Sequence, residues 1–363
     1  MNIKEKMIGF LLENANPSIK RRIKTEILNN ITTQEAVLYQ GQILAEPNVK
    51  QCLACQHEDG WFGNGFHGTS KGVGQFENQE TCTKYLGEKA VDKDTPALKR
   101  SMEAFATVSY NDSRYGTRGK VYQDEFTLAA FGMNLISCAC IARAGYADTI
   151  DISPQIQLSL DSFRRVLEVD SVLDVSRPIR HGKLRVFNAN EKWPCRYHLD
   201  ILAHTDSWRS EANIRMIADS VIKMMKTDKP KLVGVKSIPA VWVGYPLGPL
   251  GAFPSQGLSI MCSQIYPTPV ECPTTVNDRY QFEYIEWFAR CGIVPYIPAL
   301  REAVQDILNH VDSNGICRIP EPNIFKGWGP YGGLQLEVDW KSEVRKACDV
   351  TFRALLICHY ANM

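Results

Sequence analysis

The sequence predicts an all-α fold on three observations. A polar cap followed by proline at the first helical position recurs along the chain. Apolar residues repeat every three to four positions. Strand-like stretches are short and few.

Asn16-Pro17-Ser18 opens a segment with Ile19, Ile23 and Ile27 on one face. Thr32 and Glu35 read as a capping box, each side chain placed to satisfy the other's backbone amide. Thr95-Pro96 opens a segment with Leu98, Met102 and Phe105, and Ser153-Pro154 one with Ile156, Leu160, Phe163 and Leu167. Pro298 opens one with Leu300, Val304, Ile307 and Val311. In each, proline presets φ where no intrahelical N–H bond is required. Longer helical runs are expected over residues 126–144, 210–225, 280–290 and 341–360. Residues 183–187 and 240–243 are the candidate short strands.

The chain has 363 residues, 44% apolar and 22% charged, a normal balance for a globular protein that buries its own core. A formal net charge of +1 gives no reason to expect nucleic acid as a partner. The sequence has neither an apolar run long enough to span a bilayer nor a secretory leader, so no integral membrane segment and a cytoplasmic location are expected. Twelve cysteines are spread along the chain. In a reducing compartment they are expected to be small core residues, with no disulfide framework. Cys52-x-x-Cys55 lacks a second pair at zinc-module spacing, so neither metal nor cofactor is expected.

Residues 54–62 and 309–317 form a faint internal repeat. Each has a helical end, an acidic turn with glycine (Gly60, Gly315), then an apolar residue. Glycine supplies the positive φ that ends a helix. Repeated hairpins at this length suggest a closed α/α barrel or a helical solenoid. No polar linker divides the chain, so one domain over residues 1–363 is expected.

Gln56-x-x-Asp59-Gly60-Trp61 resembles the Q-x-x-D-G-x-W repeat of the squalene cyclase and protein prenyltransferase superfamily. Residues 16–22, the Asp94-Thr95-Pro96 start, residues 193–199 and Trp208-Arg209 are similar to uncharacterised bacterial prenyltransferase-like proteins. The resemblance implies an α/α toroid with a central cavity for an apolar, isoprenoid-like ligand. The chain lacks the D-x-D-D of alkene-protonating cyclases, the D-D-x-x-D that binds diphosphate through magnesium, and the D-x-C of prenyltransferase zinc sites. The resemblance therefore implies a scaffold and leaves the chemistry to be read from individual residues.

Four groups carry candidate chemistry. In the first, Asp59 could act as an acid with Trp61 and Phe62 against substrate, or Gln56 and Asp59 could brace helix ends. The second is His67, set between Phe66 and Gly68 on adaptable backbone, as a loop base would be. The densest polar cluster runs from Trp193 through Tyr197, His198, Asp200, His204, Asp206 and Trp208 to Arg209. Such a mix of acids, bases and aromatics suits a pocket wall, and equally a helix-surface pair with a core tryptophan. The last is the glycine-rich loop with Trp328 and Tyr331, placed to cover an opening.

The expectation is acid/base work by Asp59, His67, His198 and Asp206, with Trp61, Phe62, Trp193, Tyr197, Trp208, Arg209, Trp328 and Tyr331 binding substrate. A carbohydrate-active α/α barrel and a toroid that only binds a ligand or partner remain the alternatives.

Overall fold

The computed structural model describes residues 2–66, 76–107, 133–170, 174–179, 184–187, 194, 196–226, 279–319 and 335–363. These residues are mostly helical, as the cap-and-proline pattern requires. Helices α1 (Ile3–Asn14), α2 (Pro17–Arg22), α3 (Thr33–Ala45), α4 (Pro47–Ala54), α5 (Gln79–Glu88) and α6 (Pro96–Thr107) come first. Then follow α7 (Met133–Arg143) and α8 (Ser153–Glu168), the strands β1 (Ser176–Ile179) and β2 (Leu184–Phe187), and α9 (Arg196–Ala203) and α10 (Glu211–Lys226). The chain closes with α11 (Arg279–Arg290), α12 (Pro298–Asn309) and α13 (Glu343–Tyr360). The strands form an antiparallel hairpin with Ser176 opposite Phe187 and Ile179 opposite Leu184. The candidate strand at 240–243 lies outside the described residues, as does the first part of the 126–144 run.

Local chemistry sets the helix starts. Asn16 accepts the Ile19 amide at 3.1 Å. Thr32 and Glu35 form the reciprocal box, at 3.2 and 3.1 Å. At α8 the start differs from the sequence expectation: Ser153 is the first helical residue, Ile152 precedes it without a side-chain cap bond, and the Asp151 carboxylate accepts the Ser153 amide at 2.9 Å and its hydroxyl at 2.6 Å. Directly after α2, residues Ile23–Ile27 form a single π-helical turn. Such turns shift the side chains that follow and recur at functional sites.

The structure divides into two compact units. The first comprises Met1–Val108, Arg143–Tyr146 and Glu271–Met363, and the second Ser109–Ala142 and Ala147–Val270. In the first, α13 packs against α1 and α11, bringing the end of the chain back to its beginning. From Cys348 to Cys358 every residue of α13 is buried. In the second, α9 and α10 both pack on α8, and Leu160, Phe163 and Val166 of α8, Leu199 of α9 and Ile217 and Val221 of α10 are buried.

The internal repeat is a repeat of structure. In the first turn the His57 amide donates to the Trp61 carbonyl at 2.8 Å, Gly60 to His57 at 3.0 Å, and Gly63 to Cys55 at 2.9 Å. In the second, Asp312 donates to Ile316 at 3.0 Å, Gly315 to Asp312 at 2.9 Å, and Arg318 to His310 at 2.8 Å. Gln56 faces Phe62 in the first as Val311 faces Cys317 in the second. Both glycines have positive φ, +87° and +82°. Each presses on backbone that a Cβ would strike: Arg100 in α6 for Gly60, and Lys6 in α1 for Gly315. The amide of Phe62 donates to Gln79 at 2.7 Å and that of Cys317 to Thr351 at 2.9 Å, so each turn is pinned to its following helix by one polar side chain.

Candidate functional site

The first candidate group sits in the first of these turns. Gln56 donates to the carbonyls of Gly60 and Ala97 at 3.0 and 2.7 Å and accepts from Arg100 at 2.8 Å, which ties the end of α4 to the start of α6. Asp59 is exposed and its carboxylate accepts the Trp61 amide at 3.1 Å. Trp61 and Phe62 are fully buried. The Trp61 ring lies 6.2 Å from Phe66 and 6.1 Å from Phe105, an aromatic cluster of core spacing.

The second unit holds Tyr197, His198, Asp206, Trp208 and Arg209. These residues split by direction. Tyr197, His198 and Trp208 are buried, and the indole of Trp208 donates to the Leu202 carbonyl at 3.0 Å. Burial pushes His198 down to about 3, so its ring is neutral at physiological pH. Asp206 points outward with its side chain 92% exposed and pairs with Arg209 at 2.6 Å. The Arg209 guanidinium lies over the Trp208 ring at 5.1 Å. Asp200 and His204 meet at 3.0 Å, as their four-residue spacing on a helix requires. His67, Trp193, Trp328 and Tyr331 lie outside the described residues.

A different set of side chains forms a dense polar assembly, within the first unit. Arg22 donates to Glu88 at 2.7 Å, and Glu88 accepts from Arg353 at 2.7 Å. Arg353 reaches Glu286 at 3.0 Å, Glu286 accepts from Arg290 at 2.9 Å, and Arg290 reaches Glu26 at 3.2 Å. Glu26 accepts from Arg22 at 2.5 Å, which closes a ring of alternating guanidinium and carboxylate groups. Arg143, the last residue of α7, adds a further contact to Glu88 at 3.2 Å.

Helix geometry explains why arginine gathers here. Arg143 and Arg290 stand at the C-terminal ends of their helices, where the backbone carbonyls leave partial negative charge, and Arg22 stands where α2 passes into the π turn. The π turn after Arg22 carries Glu26 into the ring. Guanidinium groups also stack on aromatic faces: Arg22 over Phe352 at 5.0 Å, Arg143 over Trp287 at 5.3 Å, and Arg290 over Tyr360 at 4.3 Å. Burial pushes Glu88 up, but Arg353, Arg22 and Arg143 outweigh it and hold the carboxyl well below its usual range. Glu26 is held at about 2, where burial is outweighed by Arg22 and Arg290. Glu286 is lowered in the same way by Arg353 and Arg290.

None of the six ring residues belongs to a recognisable motif, because they come from four separate segments of the chain. One signal was present: Asp349 and Arg353 are the charged residues in the otherwise uncharged run 348–358. A charge inside such a run needs a buried partner. Among the described residues no group of three or more His, Cys, Asp and Glu side chains is placed to hold a metal ion, and no helix is long and apolar enough to cross a membrane. Comparison with known proteins finds no family model, curated protein or solved structure that matches this chain.

Proposed function

We propose that the protein is an α/α toroid that binds an apolar, isoprenoid-like ligand and does not transform it. The observation that carries the toroid is the duplicated turn. The glycine of the first turn is seated on α6, the helix that follows α5. The glycine of the second is seated on α1, although α13 is the last helix of the chain. The first helix thus stands to the last hairpin as α6 stands to α5, the relation that a closed ring of hairpins requires. The resemblance of the Gln56 to Trp61 stretch to the cyclase and prenyltransferase repeat supports the same reading.

The ligand class is supported by guanidinium groups set beside aromatic rings: Arg22 by Phe352, Arg143 by Trp287 and Arg290 by Tyr360. Arginine suits an anionic head group and aromatic faces suit a prenyl chain. Binding without turnover is supported by the state of the three acid/base candidates among the described residues: Asp59 is engaged in its turn, Asp206 is paired at the surface and His198 is held neutral. One observation favours a second reading, a scaffold without a ligand: the arginine–glutamate ring closes on itself.

The test is native mass spectrometry and thermal melting of the full chain with geranylgeranyl diphosphate, geranylgeraniol and an oligosaccharide panel, followed by product analysis. The expected result is saturable 1:1 isoprenoid binding with no product. Ligand at a hundredfold its Kd would add about 2.7 kcal/mol of stability. A released prenyl or sugar product would show an enzyme instead, and silence toward every ligand would leave the scaffold.

A further inference from the structure

A second buried charge cluster in the first unit lies under residues 335–342, which cross from the start of α2 to the start of α13. Leu336 and Glu337 are buried there. The Asn16 backbone amide donates to Glu337 at 2.8 Å, and the Asn16 side chain donates to the Leu336 carbonyl. Lys89, fully buried at the end of α5, donates to the same carbonyl at 2.5 Å and to Glu46. Asp349 of α13 accepts the amides of Leu336 and Glu337 at 2.8 and 3.2 Å and the indole of Trp340 at 2.5 Å. Three carboxylates and one ammonium therefore share this interior, and Oε1 of Glu46 is buried with no hydrogen-bond partner.

We propose that residues 335–342 form a proton-controlled strap, seated while Glu337 carries a proton and loosened when that proton leaves. A neutral Glu337 keeps an oxygen for the Asn16 amide and gains a hydroxyl donor. In Oε1 of Glu46 the cluster holds an acceptor of the kind that donor needs. An ionised Glu337 instead places a third negative charge beside Glu46 and Asp349, with Lys89 the ammonium that bonds Glu46 and the Leu336 carbonyl.

The electrostatics run in the same direction. Burial pushes Glu337 up to about 7, aided by Asp349 and Glu46 and opposed by the Asn16 amide and Lys89. Burial pushes Asp349 up to about 6 against the donors Trp340, Leu336 and Glu337 and the charge of Arg353. The other titratable groups facing the cluster are Tyr85 of α5 and Cys348 of α13, both raised by burial, with Lys20 of α2 acting on Cys348. Both carboxyls bind protons more tightly seated than free. Seating is therefore favoured as pH falls toward the ordinary carboxylate range and weakens as pH rises through about 7.

Hydrogen–deuterium exchange of the full chain at pH 6 and pH 8.5, corrected for intrinsic exchange, tests this. Protection of amides 335–342 should fall roughly tenfold, the linkage expected for one carboxyl that holds its proton up to about 7 when seated, while amides of α8 and α10 keep theirs. Glu337→Gln, neutral at both pH values, should stay protected throughout. Should that variant fail to fold, Glu46→Gln serves instead: with one negative neighbour removed, the loss of protection should shrink. Equal protection of the strap at both pH values overturns the proposal. So does a loss that persists unchanged in the variant, or one shared by the whole molecule.

Discussion

The first unit holds two buried charge clusters that answer burial in opposite ways. In the ring of Arg22, Glu26, Glu88, Glu286, Arg290 and Arg353, carboxyls are driven below their ordinary range. Under residues 335–342, Glu46, Glu337 and Asp349 are driven above it. Burial raises both sets, so the difference lies in the partners. Guanidinium forks reach two carboxylates at once and stay charged, and in the ring each glutamate contacts at least two of them. The strap cluster has one ammonium, Lys89, whose own charged form is disfavoured by burial. A buried acid is a fixed structural charge where arginines at least match its kind in number, and a proton-binding group where they do not.

Opposite signs give opposite pH dependence. The ring's contribution is present above the ordinary carboxylate range and is lost as pH falls toward about 2, the position of Glu26. The strap's carboxyls favour folding as pH falls from about 7. Stability should therefore peak on the acid side of neutral.

Three substitutions would break or sharpen this contrast. The largest effect is expected from Glu88→Ala, which leaves Arg22, Arg143 and Arg353 crowded without their shared carboxylate. Breaking such a buried network should cost about 4 kcal/mol in a denaturant titration at pH 7, and a cost under about 1 kcal/mol would show the ring to be dispensable. Glu337→Gln should act in reverse. It should stabilise the protein by about 2 kcal/mol more at pH 8 than at pH 5.5, because it removes the ionisation that burial opposes. Destabilisation at pH 8 would place Glu337 with the ring glutamates. Asp206→Asn, at an ion pair whose acid is 92% exposed, should leave the melting midpoint within experimental error, since solvent screens such pairs.

Much of the fold was legible in the sequence. The starts at Asn16, Thr32, Thr95, Ser153 and Pro298 each become a helix within a residue of the expected place. Where a side-chain cap forms, as at Asn16 and Thr32, it joins residues three apart, so the sequence contains all of it. The duplicated turn was legible for the same reason: Gly60 and Gly315 occupy matching positions in matching local patterns. The charge clusters were not. Arg22 meets Glu88 and Glu88 meets Arg353 across distances in sequence that no spacing rule covers.

The sequence by itself determined where helices begin, which glycines turn, and that the chain is mostly helical. These rest on backbone dihedrals and on hydrogen bonds within one turn. Only the tertiary structure decided which acids stay charged. Glu88 and Glu337 are the same residue type and both are buried, and what separates them is the set of cations that the packing of distant helices brings within reach.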